Sequence, residues 1–223
     1  MTVLELVHVD YLIFAFMILG TLSSSISGAM RGIESNMDIT GVLLLAFVNG
    51  NGGGTLRDII LNQTLFWIKQ PMYIWLSIIV GSISFLAIYY KDRLIQSNTL
   101  HSALIFTDAL GLGAFSIAGA EKTLSLGLGN TLALVMGMLT ATGGGIVADI
   151  IANRVPLVFS KELYITVAFT GILLFISLTT LHLDITIAAI ISMLFMISLR
   201  LYSVKIKWTL PKIHHKFRSH DKK

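Results

Sequence analysis

Seven apolar runs, each close to the roughly 20 residues that a helix needs to cross a bilayer, occupy most of this 223-residue sequence. Only 13% of the residues are charged, against about 25% in a soluble domain. That is too little charge to cover a water-facing surface, so the chain is expected to fold in lipid. We predict an all-α integral membrane protein with seven transmembrane helices, at 7–30, 40–62, 72–90, 98–119, 127–152, 162–180 and 184–203.

The basic residues are distributed unevenly along the chain. Residues 200–223 hold 8 Lys and Arg against 1 acid, whereas residues 1–199 hold 8 against 11. Because short loops rich in Lys and Arg stay in the cytoplasm, we predict an N-terminus outside the cell and a cytoplasmic C-terminus. The first span is expected to be retained and not cleaved as a signal peptide. The loops after the odd-numbered spans support this orientation, since they carry Arg31, Lys91, Arg93, Arg154 and Lys161.

The tail 204–223 is basic and follows the last span directly. We interpret it as a cytoplasmic topology anchor. The sharper alternative is binding to anionic lipid headgroups, to which each cation adds about 1 kcal/mol.

The chain matches itself without a gap when it is shifted by 91 residues. Gly20 falls on Gly111, and the segments around two glycine triplets align together with their acids. Each copy contains three predicted spans, so the second copy is expected to enter the membrane upside down, as in the inverted repeats of many transporters. We predict one membrane domain, 1–223, made of repeat one (7–90), repeat two (98–180), an extra helix (184–203) and the basic tail (204–223).

Three consecutive glycines lie past the middle of the second and fifth spans, in NGGGTLRDII (51–60) and TGGGIVADII (142–151). Close helix packing explains small residues at every fourth position, but three in a row favour a kink or a short unwound turn. Such a break would expose carbonyl and N–H groups suited to ions, near the midplane where inverted repeats place their sites. Candidate ion-path residues are therefore Gly52, Gly53, Gly54, Gly143, Gly144 and Gly145, with packing as the alternative.

Ionisable residues inside the spans are further candidates, because a charge facing lipid costs at least about 2.5–3.5 kcal/mol. They are Arg57, Asp58, Asp108 and Asp149, and their net acidic charge would attract cations. Neighbours on a helix point about 100° apart, so we predict that Arg57 pairs poorly with Asp58 and reaches Asp108 or Asp149 across the repeat interface. It would serve there as a static tie or as a gate that exchanges partners. Ala148 occupies its position in the second copy.

Ser25 and Ser116 occupy equivalent positions of the two copies. We predict that both line the same cavity as the charged residues. Hydrogen bonding between helices is the more ordinary role of serine in a membrane.

Catalysis and metal binding are not expected. The sequence has no cysteine, and its histidines are scattered, so neither a metal site nor a cofactor is predicted. The P-loop, dinucleotide-binding, metalloprotease and nucleophile-elbow patterns are missing from the sequence, which argues against an enzyme. Nucleic-acid binding is not expected either, because no soluble domain presents the basic tail.

The segments SGAMRGIESNMDITGVLLLAFVNGNGGGTLRDII and DALGLGAFSIAGAEKTLSLG, the latter followed by TGGGIVADII, resemble the signature of the prokaryotic trimeric intracellular cation (TRIC) channels. The resemblance covers nearly all of residues 7–203. It implies a homotrimer in the inner (plasma) membrane of a bacterium or archaeon. It also implies seven helices and a pore for monovalent cations, mainly potassium, in each protomer, lined by glycine-broken second and fifth spans.

Two departures from the family pattern limit what the resemblance implies. Ala148 stands where many relatives carry arginine, so any role of that arginine is lost here. Asn51 and Thr142 precede the glycines, where the animal channels have basic residues that contact phosphoinositide. That lipid site is therefore not expected in this chain.

Related bacterial sequences are labelled glycine transporters, and this supplies a second hypothesis. A zwitterion would suit one arginine among several acids, with its carboxylate on Arg57 and its ammonium group on Asp58 or Asp149. The leading hypothesis is a passive channel for potassium or sodium. A secondary transporter of a small zwitterion such as glycine is the alternative, and a non-conducting membrane scaffold is a third class.

Overall fold

The computed structural model describes residues 3–90, 98–160 and 163–208, and every helix or strand assigned within these ranges is an α-helix. The all-helical prediction is therefore confirmed. The seven long helices coincide with the seven apolar runs, whereas α3 and α7 are single turns that the sequence did not predict. The helices are α1 (Val3–Glu34), α2 (Ile39–Ile60), α3 (Phe66–Lys69), α4 (Met72–Tyr89), α5 (Asn98–Ser125), α6 (Asn130–Ile151), α7 (Leu157–Ser160), α8 (Ile165–Thr180) and α9 (Ile185–Lys205).

Within the described residues, five helices are long and apolar enough to cross a membrane: Ile13–Glu34, Ile39–Ile60, Met72–Tyr89, Asn130–Ile151 and Ile185–Lys205. Helix α8 is apolar but shorter, with 16 residues. The number of seven crossings therefore stays a prediction. Lys91, Arg93, Lys161 and most of the basic tail, residues 209–223, lie outside the described residues, so the expectations that rest on them also stay predictions.

The helix boundaries recur at the same offset of 91 residues as the sequence. Helices α2 and α6 begin and end at equivalent positions, and so do α3 and α7. After α2 and α6 the chain turns at Asn62 and Asn153, which adopt φ angles of 51° and 53°. Asparagine is among the few residues that tolerate this left-handed region. The repeated sequence therefore folds into a repeated local structure.

Helices α1, α2, α5 and α6 form the centre of the bundle, α4 packs on α1 and α2, and α8 and α9 pack on α5. Large apolar side chains such as Leu45, Ile117 and Phe175 are fully buried between these helices. Residues Ile79 and Ile83 lie one turn apart on α4 and are mostly exposed, as expected for a helix face in contact with lipid. The central four helices therefore position the site described next.

Candidate functional site

Helices α2 and α6 cross at their glycine triplets with their backbones in contact. A Cβ atom on Gly52 would lie 3.1 Å from the Cα atom of Gly144. A Cβ atom on Gly53 would collide with the carbonyl oxygen of Thr140, and one on Gly144 with the carbonyl oxygen of Asn49. Because only glycine lacks this atom, the triplets allow the two helices to approach so closely.

No unwound turn interrupts either helix at its triplet, which corrects that part of the sequence prediction. Helix α2 is α-helical from Ile39 to Ile60 and α6 from Asn130 to Ile151, through all six glycines. Close packing, the alternative explanation, therefore accounts for the glycine triplets. The glycines are consecutive because two stretches of backbone, and not two single residues, lie against each other. The helices keep their internal hydrogen bonds, as backbone at membrane depth requires. An ion path in this protein does not start from the free carbonyls of an unwound turn.

Arg31, in the last turn of α1, reaches from that helix to the crossing. Its guanidinium group donates to Asn49 Oδ1 at 2.9 Å and to the Gly145 carbonyl at 3.4 Å. It also lies 3.4 Å from a carboxylate oxygen of Asp149 and 3.6 Å from one of Asp108. Arg31 is 6% exposed. It is therefore Arg31, and not Arg57, that lies between Asp108 and Asp149.

A second arginine, Arg200 of α9, joins this site from outside the repeats. Its Nη2 atom lies 3.9 Å from Asp108 Oδ2, and its guanidinium carbon lies 4.7 Å from the centre of the Tyr164 ring. The Tyr164 hydroxyl donates to Asp108 Oδ1 at 3.1 Å. Residues Arg31, Asp108, Asp149, Tyr164 and Arg200 are called the Arg31 cluster below. Two positive and two negative charges meet in it, which offsets the cost of removing each from water.

Arg57 and Asp58 form a separate pair, contrary to the sequence prediction. The Nη2 and Nε atoms of Arg57 lie 2.7 and 2.9 Å from Asp58 Oδ1, and both residues are 2% exposed. The second carboxylate oxygen of Asp58 accepts the backbone N–H of Phe66 at 2.9 Å. Although the Cβ bonds of neighbouring helical residues diverge, the long arginine side chain curls back to its neighbour. The pair thus fastens α3 to the end of α2.

The direction of the crossing explains why Arg57 does not reach the acids of the second repeat. Arg57 lies four residues beyond Gly53 along α2, and Asp149 lies five residues beyond Gly144 along α6. The helices are antiparallel at the crossing, so these positions diverge to opposite sides of it. At a rise of 1.5 Å per residue they are separated by roughly 13 Å along the helix axes.

Among the described residues, three buried residues with charged side chains were not among the predicted candidates: Arg31, Arg200 and Glu121. Arg31 was assigned to a loop, yet its spacing of seven from Ser24 and three from Gly28 puts it on the inward face of α1. Arg200 lies inside the seventh predicted span, where any charge signals an interior position. Together with the four predicted residues they make three arginines and four acids in the described part of the helices, so the acidic excess there is one charge and not two.

Ser25 and Ser116 are both fully buried, and neither hydroxyl has a hydrogen-bond partner in the described part of the chain. The Ser25 hydroxyl packs against Gly50 of α2, whereas the backbone carbonyl of Ser116 packs against Gly137 of α6. Each serine therefore belongs to the helix pair of its own repeat. Of the predicted site residues, the structure brings the two triplets together with Asp108 and Asp149, and it separates Arg57 and Asp58 from them.

The comparisons with known proteins agree with this fold. A family model described as "Glycine transporter" matches residues 14–89 and again residues 105–180, an offset of 91 residues. A UPF0126 membrane protein of Vibrio cholerae is 36% identical over 162 residues, 72% of this chain and 64% of that protein. The match thus spans somewhat less than two thirds of that relative's length. The UPF0126 inner membrane protein YadS of Escherichia coli K12 is 29% identical over 202 residues, 90% of this chain and 95% of that protein.

Solved structures give the same result. A TRIC cation channel studied for its conductance is 30% identical, with a TM-score of 0.80 over 91% of this chain and 97% of that one. The TRIC trimeric intracellular cation channel orthologue of Rhodobacter sphaeroides is also 30% identical, with a TM-score of 0.80 over 87% of this chain and 97% of that one. The apolar helices and the membrane relatives agree that this is a membrane protein. The chain therefore belongs to the family described as "Glycine transporter" and is a structural relative of the prokaryotic TRIC channels.

Proposed function

We propose that this protein is a channel for monovalent cations, chiefly potassium, with a path inside each protomer along the crossing of α2 and α6. The observation that carries the proposal is the 30% identity to TRIC cation channels over 97% of their length. The crossing supports the location of the path, because Asp108 and Asp149 lie beside it and Arg31 contacts Gly145. Such a channel catalyses no chemical reaction.

We further propose that the two repeats are related by a two-fold axis in the membrane plane, so that the second is inverted. The contacts at the crossing are reciprocal, which supports the two-fold axis. Gly53 meets the carbonyl of Thr140, while its counterpart Gly144 meets the carbonyl of Asn49, the counterpart of Thr140. Reciprocal contacts between equivalent positions are what a two-fold axis generates. Together with the loop charges, the proposed inversion implies an N-terminus outside the cell and a C-terminus in the cytoplasm, with the protein in the inner membrane.

The assembly proposed for the chain is the homotrimer that gives the TRIC channels their name. The basic tail is proposed to contact anionic lipid at the cytoplasmic surface. Each protomer would then carry its own path, independent of the trimer axis.

The gating role that the sequence suggested for Arg57 is proposed for Arg31. Its guanidinium group lies within 3.6 Å of two carboxylates on different helices. Because the arginine contacts both acids, a movement of α1 against α5 and α6 would loosen its contact with one acid while the other still holds it. That movement would change the charge that a passing cation meets.

The test is the reversal potential of the purified protein in a planar bilayer under a KCl gradient. A cation channel reverses near the potassium equilibrium potential. Reversal near zero or near the chloride potential would exclude cation selectivity. Replacement of potassium by sodium on one side then measures the preference between the two ions.

Transport of glycine is the second candidate, and the matching family description favours it. The carboxylate of the bound glycine would contact an arginine of the Arg31 cluster, and its ammonium group would contact a neighbouring acid. Proteoliposomes that accumulate labelled glycine under an ion gradient, without unitary currents, would establish this function in place of the channel.

A further inference from the structure

We propose that a monovalent cation binds, partly dehydrated, at a cluster of neutral oxygen atoms between α1, α2 and α4 in the first repeat only. The inference deepens the proposed channel function and rests on it, since it locates a binding site within the conducting protomer. The residues are Thr21, Ser25, Asn51 and Ser77, and they are called the hydroxyl cluster below. None of them belongs to the Arg31 cluster.

The oxygen atoms converge where Gly50 lacks a side chain. A Cβ atom on Gly50 would collide with Ser25 Oγ, and it would lie 3.2 Å from the Thr21 carbonyl and 3.3 Å from Ser77 Oγ. Asn51 is joined to the same group, because its Nδ2 atom donates to Ser77 Oγ at 2.7 Å. Oxygen atoms of α1 and α4 thus meet at Gly50 of α2, and the Asn51 amide lies beside them through its bond to Ser77.

Two of these groups are buried and have no hydrogen-bond partner within residues 3–90, 98–160 and 163–208. Ser25 is 0% and Asn51 is 1% exposed, yet Ser25 Oγ neither donates nor accepts a hydrogen bond there, and Asn51 Oδ1 accepts none. Leaving a buried polar group unsatisfied costs about 1–3 kcal/mol. The Asn51 amide is oriented by its bonds to Ser77 and to the Phe47 carbonyl, so its oxygen is left available. A bound ion would satisfy both oxygens.

The chemistry of the cluster selects the class of ion. All its ligand atoms are neutral hydroxyl, amide or backbone oxygens, and in potassium channels neutral carbonyl oxygens replace the hydration shell of the ion. Calcium and magnesium sites are built with carboxylates, and none belongs to the cluster. An anion would need more donors, and both Asn51 Nδ2 and the Ser77 hydroxyl already donate within the protein.

The second repeat provides a built-in comparison. The positions equivalent to Thr21, Gly50 and Ser77 are Leu112, Ala141 and Ala168, which are apolar, so Ala141 carries the methyl group for which Ser25 Oγ leaves no room at Gly50. Thr142, the counterpart of Asn51, stays polar, and its hydroxyl donates to the Met138 carbonyl at 2.8 Å. Ser116, the counterpart of Ser25, is equally buried and equally unpartnered but lacks these polar neighbours. A buried serine alone therefore does not make the site, and Ser116 is the matched control.

The experiment measures thermal unfolding of the purified full-length protein in detergent, in choline chloride with rising NaCl or KCl at constant ionic strength. Binding to the folded state raises the midpoint with cation concentration. We expect this rise for the wild type and for Ser116→Ala. Ser25→Ala and Ser77→Ala are expected to weaken the apparent affinity at least tenfold. In choline alone, Ser25→Ala should unfold at the wild-type temperature or higher, since it removes an unsatisfied hydroxyl. Such a result excludes misfolding as the cause of its weaker response to sodium and potassium.

The outcomes separate this proposal from the channel itself. If sodium and potassium raise the wild-type midpoint no more than choline, or if Ser25→Ala responds like Ser116→Ala, the proposal is overturned and the cluster holds only structural water. A cation-selective current in the bilayer would leave the channel function intact in that case. Cation-dependent stability that is lost in Ser25→Ala, in a protein that carries no current, would instead support the site and refute the channel.

Discussion

Arg31 and Arg57 both lie in the last turn of a central helix, yet they hold different partners. Arg57 pairs with the residue next to it, whereas Arg31 links side chains from α2, α5 and α6. A long side chain at a helix end can reach several possible partners, so the packing around it decides which acid it contacts. Charge pairing at the residue scale therefore depends on neighbours that are remote in sequence.

Arg31→Gln should destabilise the protein by about 3–5 kcal/mol, because it leaves buried carboxylates uncompensated. The matched control is Arg154→Gln, since the Arg154–Glu34 pair is exposed at 37% and 44% of its side chains and such pairs contribute about 0–1 kcal/mol. Unfolding midpoints in detergent measure both effects. Equal losses in the two variants would contradict a structural role for Arg31.

A double-mutant cycle tests the partner of Arg57. Arg57→Gln and Asp58→Asn should show a coupling energy in the range of about 0.5–3 kcal/mol expected for contacting residues. Arg57→Gln and Asp149→Asn should be additive to within about 0.5 kcal/mol, because the two sites lie on opposite sides of the crossing. Strong coupling in the second cycle would restore the pairing that the sequence alone suggested.

At the scale of helices, the glycine triplets act on packing between elements and not on the course of either helix. Neighbouring glycines remove adjacent side chains from the contact, so Gly52 and Gly53 of α2 meet α6, and Gly143 and Gly144 of α6 meet α2. This arrangement places the carbonyl of Gly145 against Arg31. A substitution in a triplet is therefore expected to disturb the contact between α2 and α6 first. Any ion path along that contact is disturbed as a consequence.

Gly53→Ala should destabilise the protein by about 1–3 kcal/mol, as overpacking commonly does, and should reduce the current. Its added methyl group meets the fixed carbonyl of Thr140. The control is Gly113→Ala, whose methyl group would lie 3.1 Å from the flexible Met193 side chain and should be tolerated. Unfolding midpoints and bilayer currents are compared. A Gly53→Ala variant as stable as Gly113→Ala would argue against the tight crossing.

At the scale of the whole molecule, the fold consists of two copies that share their helix boundaries but differ in chemistry. The charged Arg31 cluster is built mainly from the second repeat, with one arginine from the first and one from α9. The neutral hydroxyl cluster belongs to the first repeat. The repeated helix boundaries supply a common scaffold, and the differences in side chains between the two copies distinguish the two clusters.

An inverted arrangement predicts opposite sidedness for equivalent loops. Asn36 and Leu128 lie in the exposed turns after α1 and α5, and the chain has no cysteine of its own. Asn36→Cys should react with a membrane-impermeant maleimide only after the cells are permeabilised, whereas Leu128→Cys should react in intact cells. Labelling of both from the same side would rule out the inversion.

Much of the fold could be predicted from the sequence, but less of the site. The apolar runs located all seven long helices, and the single turns α3 and α7 were missed because four residues carry no detectable period. Asp108 and Asp149 were correctly identified as interior residues. Their partner was not, because the choice between Arg31 and Arg57 depends on how α1, α2 and α6 cross.

The sequence by itself determined the membrane environment, the helix positions and the 91-residue repeat, because apolar length and local turn residues act along the chain. Only the tertiary structure decided that the glycine triplets are contacts and not breaks, since propensity cannot show what backbone lies opposite them. It likewise decided that Arg31 shares the two acids and that Arg57 stays with Asp58. The physical reason is the antiparallel crossing of α2 and α6. It brings the two glycine triplets together, and it puts Arg57 and Asp149, which follow the triplets, on opposite sides of the crossing.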